Sequence, residues 1–359
     1  KADAASSLAA LFFLCISGGA YGRYRPLNHY AGVMGVMVKR ILVTGGGGFI
    51  GGYFVGHLLA QGHEVVSADI KPTEEWYQVH AAAENHVANM ELKERCYTLT
   101  EGCDEVYNFA CNMGGMGFIE NNKALCMLSV LINTHMLMAA REHKVKNFFY
   151  SSSACVYRAD AQTNTDVTAL SEAHAYPAMP EDGYGWEKLF SERMCNHFLE
   201  DEELNVHVAR FHNVYGPLGT WDGGREKAPA AMCRKVIAAK LSGNHDIEIW
   251  GDGEQTRSFM YIDDCVTGVS KLMASDFHAP LNIGSSELVS INQLVGMVEE
   301  LADIKLERKY KLDAPQGVRG RNSDNTLINE VLGWEPSVSL RDGMAKTYAW
   351  IYEQMLARG

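Results

Sequence analysis

One short run constrains this chain more than any other: Thr44-Gly45-Gly46-Gly47-Gly48-Phe49-Ile50-Gly51. Before it stands Arg40–Thr44, a β-branched and apolar stretch that reads as a buried strand. After it, Phe49–Gln61 carries a helical pattern. A chain that leaves a strand through consecutive glycines and enters a helix at once makes a sharp turn with bare backbone. Gly45, Gly48 and Gly51 fall in a GxxGxxG spacing. Such a turn lets a diphosphate lie against the backbone, where the helix start offers free N–H groups and the positive end of its dipole. The next strand, Glu64–Asp69, ends in a carboxylate that can accept from ribose hydroxyls and would repel a 2′-phosphate. A purely structural glycine turn would look similar in isolation. The strand–turn–helix context and Asp69 favour a dinucleotide site built around Gly45, Gly48, Phe49, Ile50, Gly51 and Asp69, with NAD preferred to NADP.

Further strands are expected at Glu105–Phe109, Phe148–Ser152 and Val206–Phe211, with helices at Asn121–His143 and Tyr184–Phe198 between them. The first of these helices is apolar on most sides, as for a helix packed against more than one neighbour. Alternating strands and helices predict an α/β fold with a Rossmann-type, doubly wound parallel sheet. Beyond Asn213, loops rich in Gly, Pro and charge surround helices near 228–240, after 263, after 291 and at 340–357, with strands at 247–250 and 281–283. This texture predicts a smaller, interleaved C-terminal substrate-binding domain. The division expected is an N-terminal extension at 1–38 and a nucleotide-binding domain at 39–213, with returns near 258–285 and 322–346. The substrate-binding part takes 214–257 and 286–321, with the terminal helix 347–359.

The chain has 359 residues and a formal net charge of −12. That balance argues against a nucleic-acid partner, which would call for a basic excess; an anionic small molecule would need a local basic pocket. The nine cysteines are scattered, with no CxxC pair and no spacing that suggests a metal site, so none is predicted. Reduced thiols and a cytoplasmic location follow. The segment Ala4–Gly22 is uncharged and Leu8–Ile16 is an unbroken apolar run, short for a spanning helix. It leaves open a membrane or protein partner for residues 1–38, and an organellar or membrane-associated location.

Tyr184 and Lys188 are four apart on a predicted helix and so share a face. A lysine ammonium beside a phenol favours the phenolate, which would make Tyr184 a proton acceptor from a substrate hydroxyl. Ser151-Ser152-Ser153 ends the preceding strand and can bring a hydroxyl to the same place. With the glycine turn upstream, Ser153, Tyr184 and Lys188 resemble the catalytic set of the short-chain dehydrogenase/reductase superfamily.

More selective runs follow: Cys111-Asn112-Met113-Gly114-Gly115-Met116-Gly117-Phe118, Ser152–Tyr157, Arg210–Pro217, Gly223-Gly224-Arg225-Glu226-Lys227-Ala228-Pro229, Gly251-Asp252-Gly253, Gln255–Phe259 and Gly317–Asn325. Over roughly residues 40 to 355 the chain resembles the GDP-mannose 3,5-epimerase family within the extended superfamily. The resemblance implies that bound NAD takes a hydride from C4 of the mannosyl ring of GDP-mannose while Tyr184 receives the hydroxyl proton. The 4-keto group then acidifies C3–H and C5–H, an acid/base pair exchanges those protons on opposite faces, and the hydride returns, giving GDP-L-galactose. The pair implied is Cys155 and Lys227. Substrate contacts implied are Gly114, Ser153, Asn213, Glu226, Lys227, Gln255 and a basic set for the diphosphate: Lys235, Arg257, Arg319 and Arg321, the last being the best match to a phosphate contact. Arg319 could instead be a structural loop residue. Asn89 stands where an aspartate contacting adenine is expected, and keeps an acceptor oxygen. Relatives of this kind form homodimers through a four-helix bundle, and ascorbate or cell-wall galactose supply is the setting the family suggests.

Two other readings stand beside this one. A 4-epimerase or 4,6-dehydratase would share the fold and cofactor, but a 4-epimerase needs no bases at C3 and C5 and a dehydratase carries Asp-Glu in place of Ala154-Cys155. A structural subunit of a larger assembly, tethered by residues 1–38, would not need the full catalytic set.

Overall fold

In a computed structural model, residues 37–202 and 204–358 are described; the expectations for the N-terminal extension lie outside them, apart from Met37 and Val38. The first strand, β1 (Arg40–Thr44), enters the glycine turn, and α1 (Phe49–Ala60) leaves it. There follow β2 (Glu64–Asp69), β3 (Glu84–Val87), α2 (Lys93–Thr100), β4 (Glu105–Asn108), α3 (Met116–Asn121), α4 (Lys123–Met127), α5 (Ser129–Glu142), β5 (Asn147–Ser153), α6 (Tyr184–Glu202) and β6 (Asn205–Phe211). The remainder is β7 (Val214–Tyr215), α7 (Ala228–Ser242), β8 (Asp246–Trp250), β9 (Thr256–Ser258), β10 (Met260–Tyr261), α8 (Ile262–Met273), β11 (Leu281–Ile283), β12 (Leu288–Ser290), α9 (Ile291–Ala302), β13 (Glu307–Lys311), β14 (Gly320–Arg321), α10 (Thr326–Leu332) and α11 (Leu340–Arg358).

Seven strands form one sheet in the order β3-β2-β1-β4-β5-β6-β11, every neighbouring pair parallel. A parallel strand is buried on both faces, and the alternation shows it. Ile41 and Val43 of β1 point into the cluster shared with Phe54, Tyr107, Phe149 and Phe211. Leu42 points the other way, towards Val106, Phe148, Tyr150 and Met136. Strand order reverses between β1 and β4, and ligands of such sheets lie in the crevice at that switch, beyond the carboxyl ends of the strands.

The long helix expected at Asn121–His143 is broken. Asn122, at φ −132° and ψ 40°, stops α3, and the side chain of Asn122 donates back to the carbonyl of Phe118 at 2.8 Å. The next helical run begins at Lys123. Its buried face carries Cys126, Ile132, Met136 and Leu137, whereas Leu125, Met127, Leu128 and Leu131 are exposed. Beyond β6, β11 rejoins the main sheet, while α7, α9 and α11 pack on one another around Met232, Leu294 and Met344. That cluster is continuous with Ile41, Phe54 and Phe211, so the C-terminal elements and the sheet share one core.

Candidate active site

The cofactor cradle is built first by what is missing from it. Gly45 sits at φ +71°, a backbone conformation that L side chains rarely adopt, and a Cβ on Gly51 would run into the carbonyl oxygen of Gly45. The first turn of α1 therefore lies directly on the loop. Gly48 caps α1 with no side chain across its end, which leaves the first N–H groups of the helix open to an anion. Phe49 and Ile50, half-buried, fill the back of this turn, with Phe49 edge-on to Tyr53. Asp69 is buried at the end of β2, one oxygen accepting from the N–H of Lys71 at 3.0 Å and the other lying beside Gly48. Asn89, two residues past β3, is brought to the same edge, where its Oδ1 accepts from the N–H of Glu91 at 2.9 Å. A bare helix end, glycines that admit no Cβ and a buried carboxylate one strand away together fit the diphosphate and ribose of NAD.

Next to this cradle, at the carboxyl ends of β5 and β6, lies a cavity of ≈ 510 Å³. It is lined by Ser153, Cys155 and Tyr184, by Lys227 and Glu226 from the loop before α7, and by Gly114, Asn213, Lys235, Gln255, Arg257 and Arg321. The fold thus collects into one space residues that lie far apart in the chain. Lys188 stands just behind. Its side chain is buried, with Nζ 4.8 Å from the centre of the Tyr150 ring, 5.5 Å from that of Tyr184 and 3.7 Å from Glu187 Oε2. Ser153 Oγ accepts from the N–H of Cys155 at 3.2 Å, tying the end of β5 to the turn that carries the thiol. Asn213 is one of four non-glycine residues at positive φ among the described residues, and its Nδ2 donates to the carbonyl of Ser258 at 3.0 Å. Strain of that kind is retained where the surroundings over-determine it. Gln255 is buried with Nε2 donating to the carbonyl of Trp250 at 2.8 Å, while its Oε1 has no partner. An orphaned acceptor on a cavity wall is a ready partner for a hydroxyl.

The charges around this cavity are set mainly by burial. Desolvation lowers the pKa of the Lys227 ammonium, with the thiols of Cys155, Cys111 and Cys265 acting in the opposite sense. Lys188 is pushed down by burial too, but Cys111 and Glu187 outweigh this and raise it, so it stays a cation.

Residues 41–284 match the model of the NAD dependent epimerase/dehydratase family. The chain belongs to that family. Among its relatives is GDP-mannose 3,5-epimerase 1 of Oryza sativa subsp. japonica, 48% identical over 317 residues, covering 88% of this chain and 82% of that protein. GDP-mannose 3,5-epimerase of Arabidopsis thaliana is 47% identical, covering 88% and 83%. Among solved structures, UDP-glucose 4-epimerase of Thermotoga maritima with UDP-glucose superposes with a TM-score of 0.79 at 26% identity, covering 88% of this chain and 99% of that one. NAD is the cofactor of this family, and the glycine cradle with Asp69 is where the chain would hold it.

Within this family member, three sequence readings need adjustment. Tyr184 does not have the lowered pKa that a neighbouring lysine alone would give. Burial raises it well above the usual tyrosine value, Cys111, Cys155 and Glu187 add to this, and the hydrogen bond with Ser153 acts against it. Arg319 is outside the cavity lining: its two Nη atoms meet the two oxygens of Asp252, each at 2.7 Å, in a bidentate pair on the loop. Arg321 lines the cavity but is turned onto Gln162, Glu181 and the Cys155 sulfur. Sequence reasoning also missed residues on the cavity wall or close behind it. Arg234 lines it while donating to Glu226 Oε1 at 2.8 Å, and Trp250 lines it under Lys235 Nζ, 6.0 Å from the ring centre. Behind the wall, Gln162 and Glu181 both meet Arg321. They lie in irregular segments with no periodicity or motif to flag them.

Proposed function

We propose that the protein epimerises GDP-mannose at C3 and C5 to GDP-L-galactose. The observation that carries this reading is the meeting of Cys155 and Lys227 in the cavity that holds Ser153 and Tyr184. A 4-epimerase has no use for a thiol and an amine there, and a non-catalytic subunit has no use for a buried lysine with a depressed pKa. The names of the relatives at 47–48% identity support it.

NAD, when bound, supplies the acceptor and donor of a hydride at C4. The chain supplies the proton chemistry. Tyr184 Oη, once it has lost its own proton to solvent and is held as phenolate by the Lys188 cation, takes the C4 hydroxyl proton and later gives it back, with Ser153 Oγ orienting the same hydroxyl. Once C4 is a ketone, the hydrogens on C3 and C5 are acidic. Cys155 Sγ and Lys227 Nζ remove and return protons at those carbons, each giving to one face what the other takes from the opposite face. A lysine whose pKa is lowered by burial is better suited to this than an ordinary one, because it can exist as free amine nearer neutral pH. In this reading Gln255 Oε1 and Asn213 fix sugar hydroxyls, and Lys235 and Arg257, whose donors meet the carbonyls of Glu248 and of Thr256, Gln316 and Val318, put positive charge on the cavity wall for the diphosphate.

Incubation with GDP-mannose in deuterated water tests the reading by NMR of the sugar protons. Loss of the C3 and C5 signals, with no added NAD, is expected. Absence of exchange when NAD is verifiably bound would refute it.

The exposed apolar side chains Leu125, Met127, Leu128 and Leu131, together with Trp186 and Phe190 of α6, support a homodimer joined through these helices. The run Lys123–Glu142 is long and apolar enough to cross a membrane, but its other face is buried in this fold. Sedimentation of Leu128→Glu/Phe190→Glu should show a monomer; an unchanged mass would place the interface elsewhere.

A further inference from the structure

Arg321 and Cys155 are 166 positions apart, yet Nη1 of the buried guanidinium donates to Cys155 Sγ at 3.5 Å. The other two nitrogens also meet protein groups. Nε donates to Gln162 Oε1 at 2.7 Å, and Nη2 pairs with Glu181. Both anchors are tied to the segment that carries the thiol. Gln162 Nε2 donates to the carbonyls of Tyr157 at 3.4 Å and Arg158 at 2.9 Å, and the N–H of Glu181 donates to the carbonyl of Cys155 itself at 3.0 Å. A planar guanidinium held along three directions has little freedom to rotate.

We propose that Gln162 and Glu181 are positioning residues that hold the Arg321 guanidinium against the Cys155 sulfur, so that this thiol exchanges its proton beside a fixed cation. The inference rests on the reading of Cys155 as a proton carrier at the sugar ring. When the thiol gives its proton to carbon, the electron pair of the broken S–H bond stays on sulfur as a thiolate, and the guanidinium is its counter-ion. When the proton returns, Arg321 remains satisfied by Gln162 and Glu181 and is not stranded as an unpaired buried charge. In this arrangement three of the five guanidinium N–H donors are taken by protein groups, where the family resemblance implies a phosphate contact.

Other titratable or charged groups face Cys155 as well: Tyr184 from α6, Lys227 from the loop before α7, Arg257 from β9 and Cys111 after β4. Among the described residues only Arg321 is hydrogen-bonded to the sulfur through its side chain. Glu181 opposes its charge while fixing its direction. The two effects separate in two variants. Glu181→Ala removes the anchor and lets the guanidinium swing away. Glu181→Gln keeps an acceptor oxygen for Nη2 and removes the opposing charge.

The test is the rate of Cys155 alkylation by iodoacetamide as a function of pH, read by mass spectrometry of the Cys155 peptide in the full chain with its cofactor and no substrate. An opposite charge within ~4–6 Å moves a group by about 1–3 pH units. Glu181→Ala should therefore raise the alkylation midpoint by about one unit, with a roughly tenfold fall in alkylation rate at neutral pH. Glu181→Gln should keep the midpoint at or below that of the parent protein. Arg321→Met should raise it at least as far as Glu181→Ala. If Glu181→Ala is insoluble, Arg321→Lys carries the same test, because an ammonium cannot span both anchors and the sulfur. An unmoved midpoint in Glu181→Ala, or in Arg321→Lys where that variant takes its place, overturns the proposal even if activity is lost, since a merely structural role would lower activity without shifting the thiol. If the parent protein exchanges no sugar protons, the proposed function fails separately; the alkylation midpoints still decide whether the clamp exists.

Discussion

Arg210 on β6 and Glu192 on α6 form a fully buried ion pair directly behind the end of β5. Arg210 Nε donates to Glu192 Oε1 at 2.9 Å and Nη2 to Oε2 at 2.7 Å, while Nη1 donates to the carbonyl of Glu172 at 2.8 Å. Ser152, the neighbour of Ser153, donates to the same carboxylate at 2.5 Å. Replacing Arg210 with Met leaves the Glu192 carboxylate buried with a single hydroxyl, and breaking a buried pair from one side costs about 3–5 kcal/mol. At ~2.1 cal/mol/K of unfolding entropy per residue over the folded unit, that lowers Tm by about 4–7 °C. The double variant Arg210→Met/Glu192→Leu removes both charges. It leaves the Glu172 carbonyl and the Ser152 hydroxyl short of a partner, at about 1–3 kcal/mol. The double change should therefore cost less than Arg210→Met alone. Denaturant and thermal unfolding of the three proteins measure this. If the double variant is the least stable, the pair is a net source of stability and the desolvation argument is wrong.

Three further outcomes are expected. His207 and His212 are buried and their pKa values are lowered to about 4, first by desolvation. Each is therefore neutral in the fold and protonated in the unfolded chain between pH 4 and 6.5, so its contribution is complete above about pH 6.5 and is lost as pH falls. The urea midpoint should drop between pH 7 and pH 5 by the equivalent of about 2 kcal/mol per histidine, and a flat profile would contradict their burial. Gly51→Ala should abolish retained NAD, measured by cofactor released on denaturation, because the added Cβ drives α1 off the loop. Lys227→Met should slow epimerisation by about 10²–10⁴-fold with NAD content unchanged. The parent's rate should fall on the alkaline side at a pH below the ordinary lysine value, as the depressed Lys227 pKa requires; an alkaline limb at or above that value would count against its role.

The parts of this fold that could be read from sequence are those where one periodicity has one outcome. The glycine turn, the parallel core strands and the Tyr184 helix are of this kind, and their ends agree with the structure to within a few residues. β3 and β13 were not legible, because Glu-Asn-His-Val and Glu-Arg-Lys-Tyr-Lys carry no apolar alternation; pairing with β2 and β8 makes them strands. The break at Asn122 was hidden by apolar residues on both sides. The tyrosine reading erred in weight rather than in principle: the lysine lies above the ring, but the cost of charging a phenol inside the protein is larger. Gln162 and Glu181 were invisible because their role exists only through a guanidinium supplied from β14.

That long reach has a consequence for how the molecule comes into being. The glycine cradle, Asp69, Tyr184 and Lys188 all lie in the first part of the chain, and the parallel sheet is complete but for β11 once β6 has emerged. The cation beside the Cys155 sulfur arrives only with residue 321. During synthesis the residues proposed to hold the cofactor therefore leave the ribosome before the counter-charge for the thiol does. The thiol's counter-charge is thus added long after the thiol itself.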